Sequence, residues 1–336
     1  MVIFRSKIAS AVLLLAILLF LGGCKRHPGG TAAPDHRPEA VVASEALVEV
    51  KVSQFHMGMM VDLIVWAPSA KEGQQACAKA FDRIRELNLI LSDYEPESEL
   101  SKLCREAGRG PVKVSSALFT VLEMAKDLSK LAGGHYDITA APVIRLWRQA
   151  RRDRKLPEAE PLARAMALVS HENLVLDPQR QTAELKRAGM RIDLGSIAKG
   201  YVGDQAIATF RSLGYPAAAF IAGGDMVFGA PPPGSKGWPV QPAKTDLPQM
   251  HLSNCGFSVS GDTVQFVEIN GKRYSHVIDA TNGQPLTNHA MCIVIAPSGL
   301  VSDPLSTIGT ILPEKNFRQT FCTRFPAVKT WVFTAE

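Results

Sequence analysis

Asp193 and Lys199 flank a Gly-Ser turn in the stretch Met190-Arg191-Ile192-Asp193-Leu194-Gly195-Ser196-Ile197-Ala198-Lys199-Gly200-Tyr201, placing one charge of each sign beside it. Met190 to Leu194 reads as a short strand. Ala198, Val202, Ala206, Phe210 and Leu213 are then spaced for one face of a helix. Strand, small-residue turn and helix start aim free backbone N–H groups at an anion, and Lys199 adds positive charge for phosphate. An ordinary strand-to-helix connection has the same outline. Further on, Asp303-Pro304 reads as a helix start, with Asp303 as N-cap and Pro304 at the first helical position. Thr307 follows Asp303 by four residues, so the two side chains can share one side of that helix.

Elements that could position these residues follow from periodicity. Ser53 to Ala67 has β character, with Phe55-His56-Met57-Gly58 at its start and Val61, Leu63 and Val65 alternating. Ala76 to Leu91 carries Cys77, Phe81, Ile84, Leu87 and Leu91 on one helical stripe, and a loop follows with Tyr94. An aromatic there can stack on a planar ring, or simply be a partly buried structural tyrosine. Ser115 to Leu131 is a second amphipathic helix, stopped by Gly133-Gly134 and followed by His135-Tyr136-Asp137-Ile138-Thr139. Pro161 to Val169 is a short helix, and a hairpin pairs 173–176 with 182–186. Ala217 to Ala222 is a buried strand ending at Gly223-Gly224-Asp225. Those glycines allow close approach of backbone to a ligand, and a structural turn explains them equally well. Asn270-Gly271 is a strong hairpin signal between strands at 264–269 and 272–278, the second delivering His276 and Asp279 at its end. Hairpins alternate with amphipathic helices, and no GxGxxG loop opens a βαβ unit. The pattern predicts an α+β fold of mixed or antiparallel sheets with flanking helices, not a Rossmann domain.

The motifs form an ordered series. They are Met57-Gly58, Tyr94-x-Pro96-x-Ser98-Glu99, Asp137-Ile138-Thr139 with Leu146-Trp147, the 190–201 stretch and Ala222-Gly223-Gly224-Asp225. Ser260-Gly261-Asp262, Ser275-His276-Val277-Ile278-Asp279 with Thr281 to Pro285, and Ser302-Asp303-Pro304-Leu305-Ser306-Thr307 complete it. In that order and spacing the chain resembles the ApbE family of FAD:protein FMN transferases, from about Phe55 to the C-terminus. The resemblance implies FAD contacts at Met57, Tyr94, His135, Tyr136, Asp137, Asp193, Lys199 and Ile278, and a catalytic base at His276. It implies Mg²⁺ held by Asp303, Thr307 and an oxygen at Ser196, with Ser306 as a weaker candidate; such hard oxygen donors suit that ion. After Trp147 the family usually has a Gly-Phe-Gly type loop, whereas this sequence runs from Arg148 to Lys155 dense in arginine.

The reaction so implied is attack of a threonine hydroxyl of another protein on the FMN phosphorus, with AMP leaving. A Mg²⁺-dependent pyrophosphatase giving FMN and AMP is one alternative, and a non-catalytic FAD-binding lipoprotein another. The implied acceptor is an exported or membrane redox subunit.

Residues 1–23 read as a lipoprotein signal peptide. Arg5 and Lys7 precede an apolar run from Ile8 to Leu21, and Leu21-Gly22-Gly23-Cys24 has the form of a lipobox. Lipidated Cys24 would anchor an exported protein to the cell membrane on its periplasmic side. Residues 24–45, with three prolines and Gly29-Gly30, read as a flexible tether to a single domain at 46–336. A formal net charge of +5, with no basic run interleaved with aromatics, gives no case for nucleic acid. Apart from Cys24, five cysteines remain; an odd number cannot all pair.

Overall fold

The structure, a computed structural model, describes residues 46–261 and 266–334. The predicted signal peptide, Cys24, the tether to residue 45 and Asp262 lie outside the described residues.

Seven strands form the central sheet: β1 (Val48–His56), β2 (Met59–Ala67), β3 (Ala218–Ala222), β4 (Asp225–Phe228), β5 (Cys255–Gly261), β6 (Met291–Ala296) and β7 (Lys329–Phe333). Their order in the sheet follows the chain, and every neighbouring pair is antiparallel. Side chains alternate between two cores, as the period of a strand requires. Leu63, Phe220 and Val227 face the larger core with the helices, while Ile64, Ala219, Met226 and Phe228 face a smaller one. Trp238, from a two-stranded pairing of Trp238–Val240 with Met250–Leu252, packs into that second core.

The main helices are α1 (Ala70–Leu91), α2 (Glu99–Arg105), α3 (Ser116–Leu131), α4 (Ala141–Asp153), α5 (Ala159–Met166), α6 (Ala198–Ser212) and α7 (Gly299–Ile311). The predicted stripe of α1 is buried throughout, and α6 and α7 pack together on the sheet. Trp147 and Val143 of α4 form a third apolar cluster with Ile278 and α5, and Trp147 Nε1 donates to the Gly283 carbonyl at 2.8 Å. Among the described residues no helix is long and apolar enough to cross a membrane.

Four local expectations change. The β segment expected to begin at Ser53 starts at Val48 and is a hairpin, with Met57 and Gly58 as its two-residue turn, both at positive φ. That conformation suits a tight hairpin, but Met-Gly lacks the asparagine or aspartate that advertises it. Met190 to Leu194 is not a strand. Its apolar residues are buried, but its backbone ties to the 138–140 segment through Asp193 N–H to Ile138 O and a single parallel bridge at Arg191. The strand expected over 272–278 ends at Ser275, so His276 sits in a bend.

Asp303 is not an N-cap. Ser298 occupies that place, α7 begins at Gly299, and Pro304 lies inside the helix. Asp204 of α6 explains the early start, because its carboxylate accepts the N–H groups of Gly299 and Leu300 at 2.7 and 2.8 Å. First-turn donors that have no helical partner are thereby satisfied from a neighbouring helix.

Candidate active site

Close packing of α6 on α7 brings the chemistry together. A Cβ on Gly200 would stand 2.0 Å from the Gly299 carbonyl oxygen, so only glycine fits. At that approach Asp303 of α7, 1% exposed, reaches across to α6 and accepts the Gly200 N–H at 3.0 Å.

Lys199, one residue earlier, places Nζ 2.6 Å from Asp225 and 3.4 Å from Asp303. Burial disfavours the ammonium, but the two carboxylates outweigh it and hold Lys199 charged. Burial, then the Asp225 charge, push the Asp303 carboxyl up to about 7. Two buried carboxylates share one ammonium, so this floor lacks one positive charge. Thr307, one turn on along α7, also lines the cavity, and Ser260 Oγ lies 3.1 Å from its hydroxyl. A carboxylate, a hydroxyl and nearby turn oxygens with a charge deficit fit a hard divalent cation. Among the described residues there is no group of three or more His, Cys, Asp and Glu side chains of metal-binding form.

Above this floor lies a cavity of about 1550 Å³. It is larger than the usual 300–1,000 Å³ of a small-ligand pocket. His276, Ile278, Asp193, Ser196, Lys199, Asp303 and Thr307 line it together with Met57, Tyr94, Tyr136 and Asp137. Ser196 Oγ donates to Tyr136 Oη at 3.2 Å, and burial raises the Tyr136 hydroxyl far above its ordinary value. Asp137 is turned to its own neighbours: it accepts Thr139 N–H and Oγ1–H, and the His171 N–H. Two expected residues do not line the cavity. His135 pairs instead with Asp279 at 3.0 Å, and Ser306 donates to the Asp303 carbonyl while lying 2.7 Å from Ser260 Oγ.

The arginine-rich segment after Trp147 continues α4, and Arg148 enters the site. Its two terminal nitrogens lie 2.6 Å from Asp93 and 2.6 Å from Asp193, and its guanidinium sits 4.6 Å from the Tyr94 ring centroid. Burial raises the Asp193 carboxyl against the opposing pull of Arg148. Sequence reasoning missed Arg148, Asp225, Asp93 and Asp204 as site-building residues. Asp225 stood in a motif whose glycines took the attention. The other three become visible only when distant segments meet.

The family model described as ApbE family matches residues 57–328. An FAD:protein FMN transferase of Haemophilus influenzae is 29% identical over 321 residues, covering 92% of this chain and 88% of that protein. Another, from Escherichia coli K12, is 25% identical over 316 residues, covering 90% and 87%. Among solved structures, the flavin transferase ApbE from Vibrio cholerae matches with a TM-score of 0.76 at 22% identity, covering 86% of this chain and 98% of that one. The ApbE protein of Thermotoga maritima matches at 0.75 and 21%, covering 85% and 94%. These likenesses establish the α+β fold.

Proposed function

The chain belongs to the ApbE family, and from that premise we propose that it is an FAD:protein FMN transferase, the activity for which its relatives are named. It takes FAD and a threonine of a second protein, forms a phosphoester between that hydroxyl and the FMN phosphorus, and releases AMP. The observation that carries this reading is convergence. A histidine, a buried ammonium, hard oxygen donors and surfaces for a planar ring all line one large cavity.

Asp303, Thr307 and an oxygen of the 193–198 turn would hold Mg²⁺, which supplies charge neutralisation at the phosphates when bound. His276 takes the proton of the attacking threonine, a poor nucleophile without a base. Lys199 offers its ammonium to the pyrophosphate while Asp225 fixes its position. Tyr94, steadied by Arg148, and Met57 at the hairpin tip present surface to the rings of FAD.

The acceptor is an exported or membrane-held redox subunit, and the enzyme meets it from a lipid anchor at Cys24. Replacing Cys24 by alanine should abolish palmitate incorporation; unchanged labelling would sink the anchor.

The reaction is tested by incubating FAD, Mg²⁺ and a threonine-bearing acceptor with the protein. The expected result is a flavin-fluorescent acceptor and AMP in equal amount. The His276→Ala variant should slow transfer far more than it weakens FAD binding, because a base acts on the transition state. Free FMN and AMP with no labelled acceptor would make the protein a hydrolase. FAD bound but never consumed would make it a binding protein.

A further inference from the structure

The transferase reading leaves one strongly charged feature without a task. From Arg145 to Lys155 six of eleven residues are basic and one, Asp153, is acidic, a local excess equal to the +5 of the whole chain. The remainder of the protein is therefore neutral on balance, and its positive charge is concentrated at the end of α4. Arg148 is consumed by Asp93 and Asp193. Arg151 is not. It lines the cavity half-buried, and among the described residues it makes no hydrogen bond or ion pair. Burial and the neighbouring Arg148 both disfavour its charge.

Basic residues in a last helical turn are favourable to the helix dipole. That accounts for charge at a helix end, but not for an unpartnered guanidinium set into a cavity wall. A partly desolvated cation is stabilised by an anion close to it. Arg152 also lines the cavity and touches Gln149, while Arg154 and Lys155 are exposed and carry the charge on into solvent. The stripe thus leads from inside the cavity to outside it. It sits at the carbonyl end of α4, so no backbone N–H groups converge there as in a phosphate cradle. Another part of the cavity wall carries the cross-strand pair Phe55 and Met60, whose 68% and 54% exposure is unusual for apolar side chains of this size.

We propose that the basic end of α4 is the docking surface for an acidic, extended segment of the acceptor protein. A carboxylate of that segment pairs with Arg151 and Arg152 at the cavity mouth, and apolar side chains near it rest on Phe55 and Met60. This rests on the transferase reading and adds the chemistry by which the acceptor is selected. Charge of this kind steers encounter and selects partners, and it is screened by salt.

The test measures binding without turnover, using the full chain loaded with FAD in the absence of Mg²⁺. The probes are two fluorescent threonine peptides of equal length, one with glutamates beside the threonine and the other with glutamines in their place. The glutamate peptide should bind about tenfold tighter at low salt, a typical size for a close charge pair. Arg151→Gln/Arg152→Gln should erase that preference while FAD affinity changes less than twofold, with circular dichroism and melting temperature confirming the fold. Equal binding of both peptides would overturn the proposal. So would a double variant that loses FAD but keeps its peptide preference, since the anion would then be a cofactor phosphate. A third arm uses phosphatidylcholine vesicles with and without phosphatidylglycerol. Loss of anionic vesicle binding in the double variant, with peptide binding intact, would assign the patch to lipid and also overturn it. Because no transfer is required, failure of the flavin reaction is read separately.

Discussion

Asp303 of α7 accepts the Gly200 N–H of α6, while Asp204 of α6 accepts the Gly299 and Leu300 N–H groups of α7. Each helix satisfies the first-turn donors of the other. This reciprocal capping depends on the close approach at Gly200 and Gly299. Gly200→Ala should therefore push the helices apart, lower stability by about 1–3 kcal/mol as overpacking does, and weaken Mn²⁺ binding by displacing Asp303. Unfolding curves and Mn²⁺ paramagnetic resonance would show both losses together. A variant with normal stability and normal Mn²⁺ affinity would contradict the packing argument.

Asp303 has a structural task as well as its proposed task toward the metal. Asp303→Ala leaves the Gly200 N–H buried without an acceptor and should cost about 1–3 kcal/mol. A surface cap would cost less, so the N-cap expected from sequence would have underestimated it. Asp303→Asn keeps an acceptor near Gly200 and should recover most of that stability, yet bind Mn²⁺ as poorly as the alanine variant. Equal metal affinity in the asparagine variant and the parent would remove Asp303 from the cation site.

The Asp204 carboxyl is raised to about 6, because burial outweighs its two backbone donors. A carboxyl whose folded value exceeds its unfolded one binds more protons in the native state between the two values. Stability then falls as pH rises from about 4 to 6. A displacement of about two units corresponds to roughly 3 kcal/mol at most. Asp204→Asn removes this group, so urea unfolding of the variant should lack that part of the slope between pH 4 and 6. Parallel stability profiles for the two proteins would show that Asp204 titrates normally.

Arg148 joins Asp93 and Asp193, both largely shielded from solvent. Arg148→Met should destabilise by about 3 kcal/mol at pH 8, because it strands two carboxylates. The orphaned Asp193, already raised by burial, takes up a proton more readily without Arg148, so the deficit should shrink towards pH 5. Hydrogen exchange of the 92–98 loop should quicken. Arg148→Lys, able to reach one partner rather than both, should fall between. A deficit independent of pH would argue that Arg148 acts by packing alone.

Periodicity and turn chemistry made much of the architecture legible. The buried stripe of α1, the course of α3 and the Asn270-Gly271 turn, both of whose residues take positive φ, follow from local patterns that need no tertiary information. Most of the site residues named from the ordered motifs likewise line the cavity. What escaped has a common physical cause. Asp303 looked like an N-cap because Asp-Pro is a local signature, but the start of α7 is decided by a carboxylate 95 positions away in sequence. Arg148 looked like a mere departure from the family's usual loop, because its partners at 93 and 193 belong to other segments. His135 sat beside two cavity residues in sequence, yet its ring turns to Asp279. A one-dimensional pattern fixes which face a residue occupies, not which distant charge meets it there.

The antiparallel order of the sheet conceals a long detour. Leu63 of β2 pairs with Phe220 of β3, so roughly 150 residues, including α1 to α6, must be gathered before that seam can close. Such non-local pairing is slow to form, since the entropy of closing the loop is lost before the contact rewards it. Asp303 arrives later still, on the last long helix. A nascent chain of fewer than about 300 residues therefore has Lys199 and Gly200 but neither the Asp303 carboxylate nor a closed capping pair. Affinity for metal and flavin should appear abruptly at the end of folding rather than grow with the chain.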